Sequence, residues 1–540
     1  MKIRLIGVTL GLLMFSQSGY GQQRDVAYGF LMRQPEVGII DLLNWSQYNN
    51  SIGTARSAAM GGAFSSLGAD LSSMNINPAG LGMYRSSEFG VTPVISTNNT
   101  TNSGRERVTN AKSSRTRLIM NNVGLALNIY ESSKVLTSFT LGLSYGRLAD
   151  LNFNSSADLP FGDVSIADIY RFQLRGIDPY NLRGDTPWNN NNIPLDTWGA
   201  VLAYKAYLVQ EYPGTNPNRF YDTPSLSPNA IIDHDMYTIS KGAIDEFSLA
   251  GGFNFNSKVY FGFSIGILDI HQSQFTRYEE DYSRNHFVQH PPADLMDYGQ
   301  HRITRGTGLN LKLGVIARPI PQLRLGFALH TPYAVSVSTR YRGTMDVFYL
   351  GEHESKYGDT PEITGDNDFT TPTRLMAGIS YTFGDYAIVS ADYERTWYNG
   401  IRLSGDRYSM DVKAMTSNEV RDQFRPANTF RVGAEIKPIS EVAIRAGYTS
   451  IGSPLINNGN IYDAPVMTAQ SDISMGLGFH LTNNTSLDLT YVRSKMKFTE
   501  YDLFYYYGSD NDGMDVEIFA GGLKKELQRH NIILSLGVKF

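Results

Sequence analysis

The chain has 540 residues, 51 glycines, 33 tyrosines, only 18% charged residues and a formal charge of −5. It has no cysteine, which excludes disulfides and thiolate metal sites. The mildly acidic balance argues against nucleic acid as a partner. Length alone would suggest about three or four soluble domains, but the patterning of the chain does not read that way.

Met1-Lys2-Ile3-Arg4 is a basic start, and Leu5 to Phe15 is an apolar run too short to span a bilayer. Ser18-Gly19-Tyr20-Gly21 then supplies the small residues a signal peptidase needs. The expectation is a signal peptide over residues 1–21, cleaved after Gly21. Its loss removes Lys2 and Arg4 and takes the formal charge from −5 to −7. No later apolar run has helix-spanning length, which leaves a periplasmic, extracellular or outer-membrane β-barrel protein.

Residues 22–85 do not alternate. Asp41-Leu42-Leu43-Asn44-Trp45 reads as a short helical turn, and SIGTARSAAMGGAFSSLGADLSSMNINPAGLGMYR follows it. Such a small-residue segment is a poor independent domain, yet its slim side chains suit close backbone approach inside a lumen. Pro78 fixes its own φ and pushes Asn77 towards extended backbone. The Asn77 amide can satisfy neighbouring backbone groups.

Period-two alternation begins near Glu88 and continues to the last residue. Val123, Leu125, Leu127 and Ile129 share a face, as do Phe139, Leu141, Leu143 and Tyr145. The pattern recurs over 247–255, 259–265, 309–315, 323–329, 375–383, 387–393, 430–436, 442–448, 473–481 and 487–491, and ends with Ile532, Leu534, Leu536, Val538 and Phe540. This makes about 14 strands, an even number as bacterial barrels require. The opposite face carries Gly, Ser, Thr and Asn with isolated charges: Arg324, Arg374, Asp392, Arg431, Glu435, Arg445 and Asp488.

Connections alternate between short (131–133, 256–257, 318–322, 384–385, 437–441, 482–485) and long (96–115, 151–240, 272–300, 341–369, 400–425, 451–469, 500–528). A sandwich has no reason to keep that parity, whereas a barrel with tight periplasmic turns and long extracellular loops does. Tyr130, Phe255, Tyr381 and Phe383 at short-turn ends, with Tyr145, Trp397 and Tyr398 at long-loop ends, read as interfacial girdles. The fold class expected is all-β: an antiparallel transmembrane β-barrel of about 14 strands, spanning residues 86–540, with residues 22–85 as an N-terminal periplasmic segment and lumenal hatch.

The stretch GTARSAAMGGAFSSLGADLSSMNINPAGLGMYRSSEF resembles the N-terminal hatch of the FadL/TodX family of outer-membrane hydrophobic-compound transporters, most of all the Bacteroidetes branch often labelled hemin receptors. The family's Asn-Pro-Ala motif matches Asn77, Pro78 and Ala79. The terminal Phe540 resembles the barrel-assembly signal of outer-membrane proteins. The resemblance implies passive uptake of hydrophobic molecules, long-chain fatty acids first and aromatic compounds second, across the outer membrane of a Gram-negative bacterium. It implies capture among extracellular loops, a site inside the barrel, and sideways exit through a wall opening made by a kinked strand. Gly142 and Gly146 could bend the third strand, though glycine recurs in all strands. The partners implied are outer-membrane lipid, the hydrophobic substrate and the barrel assembly machinery, with no cofactor and no metal.

Within the longest loop, Ser165 to Leu174 and Asp196 to Val209 read as helices, Asp196 being a candidate cap. Trp198, Val201, Leu202 and Leu208 form an apolar stripe. It either packs the loop onto the rim or forms a greasy landing site for substrate. His286 and His290 lie four apart but precede Pro291-Pro292 with no third ligand, so a solvated loop suits them better than a metal site. His330 and His480 fall on the lumenal face without a nucleophile motif, and no enzyme activity is expected. The alternatives to transport are a structural or partner-binding barrel and a gated pore for polar solutes.

Overall fold

The computed structural model describes residues 26–32, 38–48, 53–104, 111–132, 135–190, 193–212, 220–226, 231–284, 291–352, 354–405, 408–457, 464–509 and 514–540. The signal peptide expected over residues 1–21, and His286 and His290, lie outside them.

Two short helices, α1 (Ile39–Asn44) and α2 (Ala55–Ala59), precede the wall. The wall strands are β1 (Glu88–Gly104), β2 (Ala111–Glu131) and β3 (Leu136–Asp150); after α3 (Ile166–Gln173) and α4 (Trp198–Lys205) come β4 (Ile232–Phe255), β5 (Val259–Asp281) and β6 (Ala293–Ile320). They continue as β7 (Leu323–His330), β8 (Arg374–Phe383) and β9 (Ala387–Trp397), then α5 (Met410–Gln423), β10 (Pro426–Ile439), β11 (Val442–Ile451), β12 (Met467–His480), β13 (Thr485–Ser509) and β14 (Asp515–Lys539). Each pairs antiparallel with the next, and β14 returns to β1 with Lys539 opposite Glu88, closing a 14-stranded barrel. Phe540 completes the seam: its N–H donates to the Ser87 carbonyl and its carbonyl accepts from the Ser87 N–H, at 3.0 and 3.1 Å.

Alternation sets the two faces. Outward on β5 stand Val259, Phe261, Phe263, Ile265 and Ile267; on β14, Ile532, Leu534, Leu536 and Val538. Polar residues replace them further along, Asp269 and His271 on β5 and His530 on β14. The apolar belt is thus about nine residues tall, the reach of a tilted strand across a hydrocarbon core. A closed barrel meets the other demand of lipid, that every backbone group be bonded internally. No described helix is long and apolar enough to cross a membrane. Tyr130, Phe255, Tyr381 and Phe383 are exposed at the short-turn edge of the belt. Tyr398 departs from the expected girdle: a one-turn 3-10 helix after β9 (Tyr398–Gly400) turns it inwards, to 7% exposure.

The strands run beyond the sequence pattern. Residues 232–240, 272–281, 293–300, 500–509 and 515–528, expected as loops, continue the ladders. Above the belt neither face meets lipid, so hydropathy stops alternating while backbone pairing persists. The largest apolar core lies here: α3, α4 and the N-terminal residues Phe30, Leu31, Ile39, Leu42, Leu43 and Trp45 pack against these extensions. Two neighbouring strands break at the same level, β7 at Thr331-Pro332-Tyr333, before the strand resumes as Ala334–Tyr349, and the Ile363–Thr370 strand at Thr371-Pro372-Thr373, before β8. Proline has no N–H to give a ladder. The breaks bond each other instead, Tyr333 N to Thr371 Oγ1 at 2.9 Å and Thr371 N to the Tyr333 carbonyl at 3.0 Å.

Candidate functional site

The N-terminal segment threads the lumen. Val26–Tyr28 pairs with Tyr505–Tyr507 of β13 at the long-loop end. The segment expected at the periplasmic mouth therefore begins at the opposite end, because β13 outruns β12 there and leaves an edge to be paired. From α1 the chain descends to residues 53–85, which fill the short-turn half of the barrel.

This lumenal segment, expected from the sequence to be a hatch, is built from caps. Thr54 accepts the Ser57 N–H at 3.2 Å to start α2, and its hydroxyl donates to Asp70 at 2.9 Å. Asp70 in turn caps the turn Leu71–Met74. Asn77 and Pro78 are a third helix start: the Asn77 Oδ1 accepts the Ala79 N–H at 3.1 Å, and proline takes the first position of the 3-10 helix Pro78–Met83, where no donor is missed. The Asn77 amide also donates to the Ser65 carbonyl at 2.6 Å and to wall carbonyls of Phe327 and Val315 at 3.3 and 3.4 Å. The motif thus opens a helix inside the lumen, and the turn into the wall comes later, at Tyr84 to Glu88. Ala79 is fully buried against Tyr260 and Ile316.

Wall glycines make the room. A Cβ at Gly262 would strike the Pro78 carbonyl, one at Gly314 the Asn77 Oδ1, one at Gly326 the Ser65 carbonyl and one at Gly433 the Met60 carbonyl. Gly142 and Gly146 of β3 face Met74 and Asn75 and stay in register with Ala126 and Asn122, so they accommodate the hatch and do not bend the strand. Sequence reading missed this ring, although every member sits on the polar face of its strand.

The lumenal charges hold the hatch. Arg56 reaches Glu435 at 3.0 Å, Glu435 meets Arg445 at 2.6 Å, and Arg445 pairs with Asp488. Asp392 accepts the Ser65 N–H at 2.8 Å, and Arg324 donates to the Leu67 carbonyl at 2.9 Å. Arg374 and Arg431 grip Glu394 at 2.6 and 2.7 Å. The Asn75 amide donates to Glu246 at 2.6 Å, and Lys312 and Tyr333 bond the same carboxylate. His330, at 2% exposure, meets the Ile76 carbonyl at 2.9 Å, whereas His480 lies exposed at the short-turn end.

Above the hatch lies a cavity of about 130 Å³. Trp45, Leu151, Phe153, Met236, Met467, Met496, Phe498 and Leu527 supply apolar wall, and Asp41, Gln47, Asp150, Gln272, Arg302, Lys525 and Arg529 are among its polar groups. Most polar members are committed: Gln47 to the Met467 carbonyl at 2.9 Å, Arg302 to Asp41 at 3.1 Å, Arg529 to Asn98 at 2.8 Å.

The barrel wall is breached beside this cavity. β2 pairs with β1 as far as Ala111, but with β3 only from Asn122 to Glu131. Residues 111–121 of β2 therefore have no ladder partner on that side. Past Arg147 the third strand leaves β2, and its continuation, Phe153–Gly162, pairs only with β4. The swing carries it behind β2 to the inner face of β1: the Asn98 amide donates to the Asn152 carbonyl at 2.5 Å, and Asn102 to Ser155 Oγ at 2.8 Å. Among the described residues only side chains of β2 reach across the breach, Arg115 to Asn154 at 3.1 Å, Arg117 to Asn152, and Ser113 Oγ to Ser156 Oγ at 2.8 Å. Leu118, 74% exposed, and Met120 mark its lipid-side edge.

Trp198, Val201, Leu202 and Leu208 are 0–6% exposed and pack the long loop onto the barrel, with Trp198 edge-on to Trp188 at 4.9 Å. Here the stripe is core and offers no surface. Asp196 makes no side-chain cap for α4, whereas Ser165 and Asp168 form a capping box on α3. Asp245, Asp269 and His271 cluster on the outer wall, but Arg147 already pairs with Asp245 at 2.9 Å.

No family model and no curated protein matches the chain. Among solved structures it resembles a FadL homologue from Pseudomonas aeruginosa, with TM-score 0.51, 12% identity, and 91% of this chain and 99% of that chain covered. A deletion mutant of the monoaromatic hydrocarbon channel TodX gives TM-score 0.50 at 13% identity, covering 90% and 98% of the two chains. The Pseudomonas putida toluene transporter TodX gives 0.48 at 11% identity, covering 92% and 99%. The fold is that of FadL-type barrels.

Proposed function

We propose that this chain is an outer-membrane channel through which small hydrophobic molecules diffuse inwards without an energy source. The observation that carries the reading is the breach between β2 and β3, with a cavity of mixed apolar and polar lining on its lumenal side and the packed 53–85 segment beneath. An apolar solute that reaches the cavity has a sideways route to lipid past the 150–156 segment. Water and ions meet the hatch, whose lumenal charges are engaged with it or with each other, which speaks against a standing polar pore. One of the similar folds is a monoaromatic hydrocarbon channel. The cavity has about the size at which an apolar protein hole holds a single benzene ring, which places single-ring compounds ahead of long-chain fatty acids.

In this scheme Asn77, Pro78 and Ala79 seat the hatch. Capture at Trp198, Val201, Leu202 and Leu208 requires the loop cap to part first. Phe540 serves assembly, and lipid contacts the belt.

The absence of cysteine allows a clean test. Ser113→Cys with Ser156→Cys places two thiols across the breach, where the native hydroxyls are 2.8 Å apart. The oxidised double variant should lose most uptake of toluene in whole cells and recover it with reductant. Unchanged toluene uptake with the bridge formed would sink the lateral route.

A further inference from the structure

Lys525 is set apart from the other polar groups of the cavity. It projects from β14 into the hollow and is 3% exposed. Its ammonium lies 3.3 Å from the centroid of the Phe153 ring and 5.1 Å from that of Phe498. No carboxylate among the described residues pairs with it, whereas its neighbours Arg302 and Arg529 each have partners. Ring faces attract a cation, but they do not accept three hydrogen bonds as a carboxylate can. A buried ammonium with only aromatic contacts is a donor waiting for an anion. The hollow it faces has apolar wall around Phe153, Phe498 and the methionines, polar groups including Asp41 and Asp150 elsewhere, and about the volume of one aromatic ring.

We infer that the cavity takes single-ring aromatic acids, with the carboxylate on Lys525 and the ring among Phe153, Phe498 and the methionines Met236, Met467 and Met496. This rests on the channel reading above and sharpens it from apolar solutes in general to arenes that carry one anionic group. Phe153 belongs to the segment that leaves β2, so the ligand would touch the element that forms the breach.

The test uses the full chain in lipid nanodiscs and fluorine NMR with two probes, a fluorinated benzoate and fluorobenzene. The benzoate should bind the native protein and lose about tenfold or more in affinity in Lys525→Met, the size expected for a hydrogen bond to a charged group. Fluorobenzene should bind both proteins about equally, which also reports that the variant is folded. Lys525→Arg should restore part of the preference for benzoate. Equal benzoate affinity in native protein and Lys525→Met, with fluorobenzene still bound, would overturn the assignment and leave the channel reading standing. Binding of neither probe to the native protein would overturn both.

Discussion

Asn77 satisfies more of the hatch than its size suggests. One amide caps the Pro78–Met83 helix and donates to carbonyls of both hatch and wall, all at 1% exposure. Asn77→Ala leaves those groups without partners, at about 1–3 kcal/mol for an unsatisfied buried group. The expected outcome is a protein that still shows the heat-modifiable migration of a folded barrel, but with frequent current bursts in planar bilayers. A silent trace would mean that Asn77 does not hold the hatch shut. At this scale the sequence was informative about type and less so about geometry. Asn-Pro-Ala was legible as a stiff unit, but its use as a helix start depends on the backbone that follows.

At the scale of elements, the hatch and the lumenal face of the wall are two halves of one packing problem. Gly262→Ala would drive a methyl group into the Pro78 backbone, which has no rotamer to give. Overpacking of this kind costs about 1–3 kcal/mol. Gly400→Ala is the comparison, since its nearest neighbour, the Trp397 Cβ, lies at 3.9 Å, an ordinary contact. Gly262→Ala should raise vancomycin sensitivity of cells while Gly400→Ala leaves it unchanged; equal sensitivity in both would contradict the packing account. The glycines were visible in the sequence on the polar faces of their strands. What they face was not, because Pro78 and Gly262 lie far apart in the chain and meet only when the barrel closes. The same holds for Phe153–Gly162, where polar residues conceal a strand that has left its neighbour.

For the whole molecule, β14 closes onto β1 around residues 53–85, which in the proposed scheme are the stopper of the short-turn half of the lumen. Deleting residues 53–85 removes Arg56, Ser65, Asn75 and Asn77, and with them the hatch-side partners of Glu435, Asp392 and Glu246. The remaining wall charges would then line water. The deletion variant should form a steadily conducting pore that admits small polar solutes, measured by liposome swelling. A non-conducting but folded barrel would show that the loop cap, not the hatch, is the barrier.

The sequence by itself determined the barrel. Outward residues such as Phe261 and Ile265 must face lipid and inward ones such as Ser264 must not, so the solvent on each side imposes a period of two, and antiparallel closure requires an even strand number. It also marked the small-residue segment before the wall as a poor independent domain, because Gly, Ala and Ser bury little apolar surface. Tertiary packing alone settles where β3 parts from β2, that the stripe at Trp198 and Leu202 is core, and that Lys525 meets rings and, among the described residues, no acid. These depend on which distant residues become neighbours when the sheet curves and closes, and a local hydropathy pattern holds no information about partners hundreds of residues away.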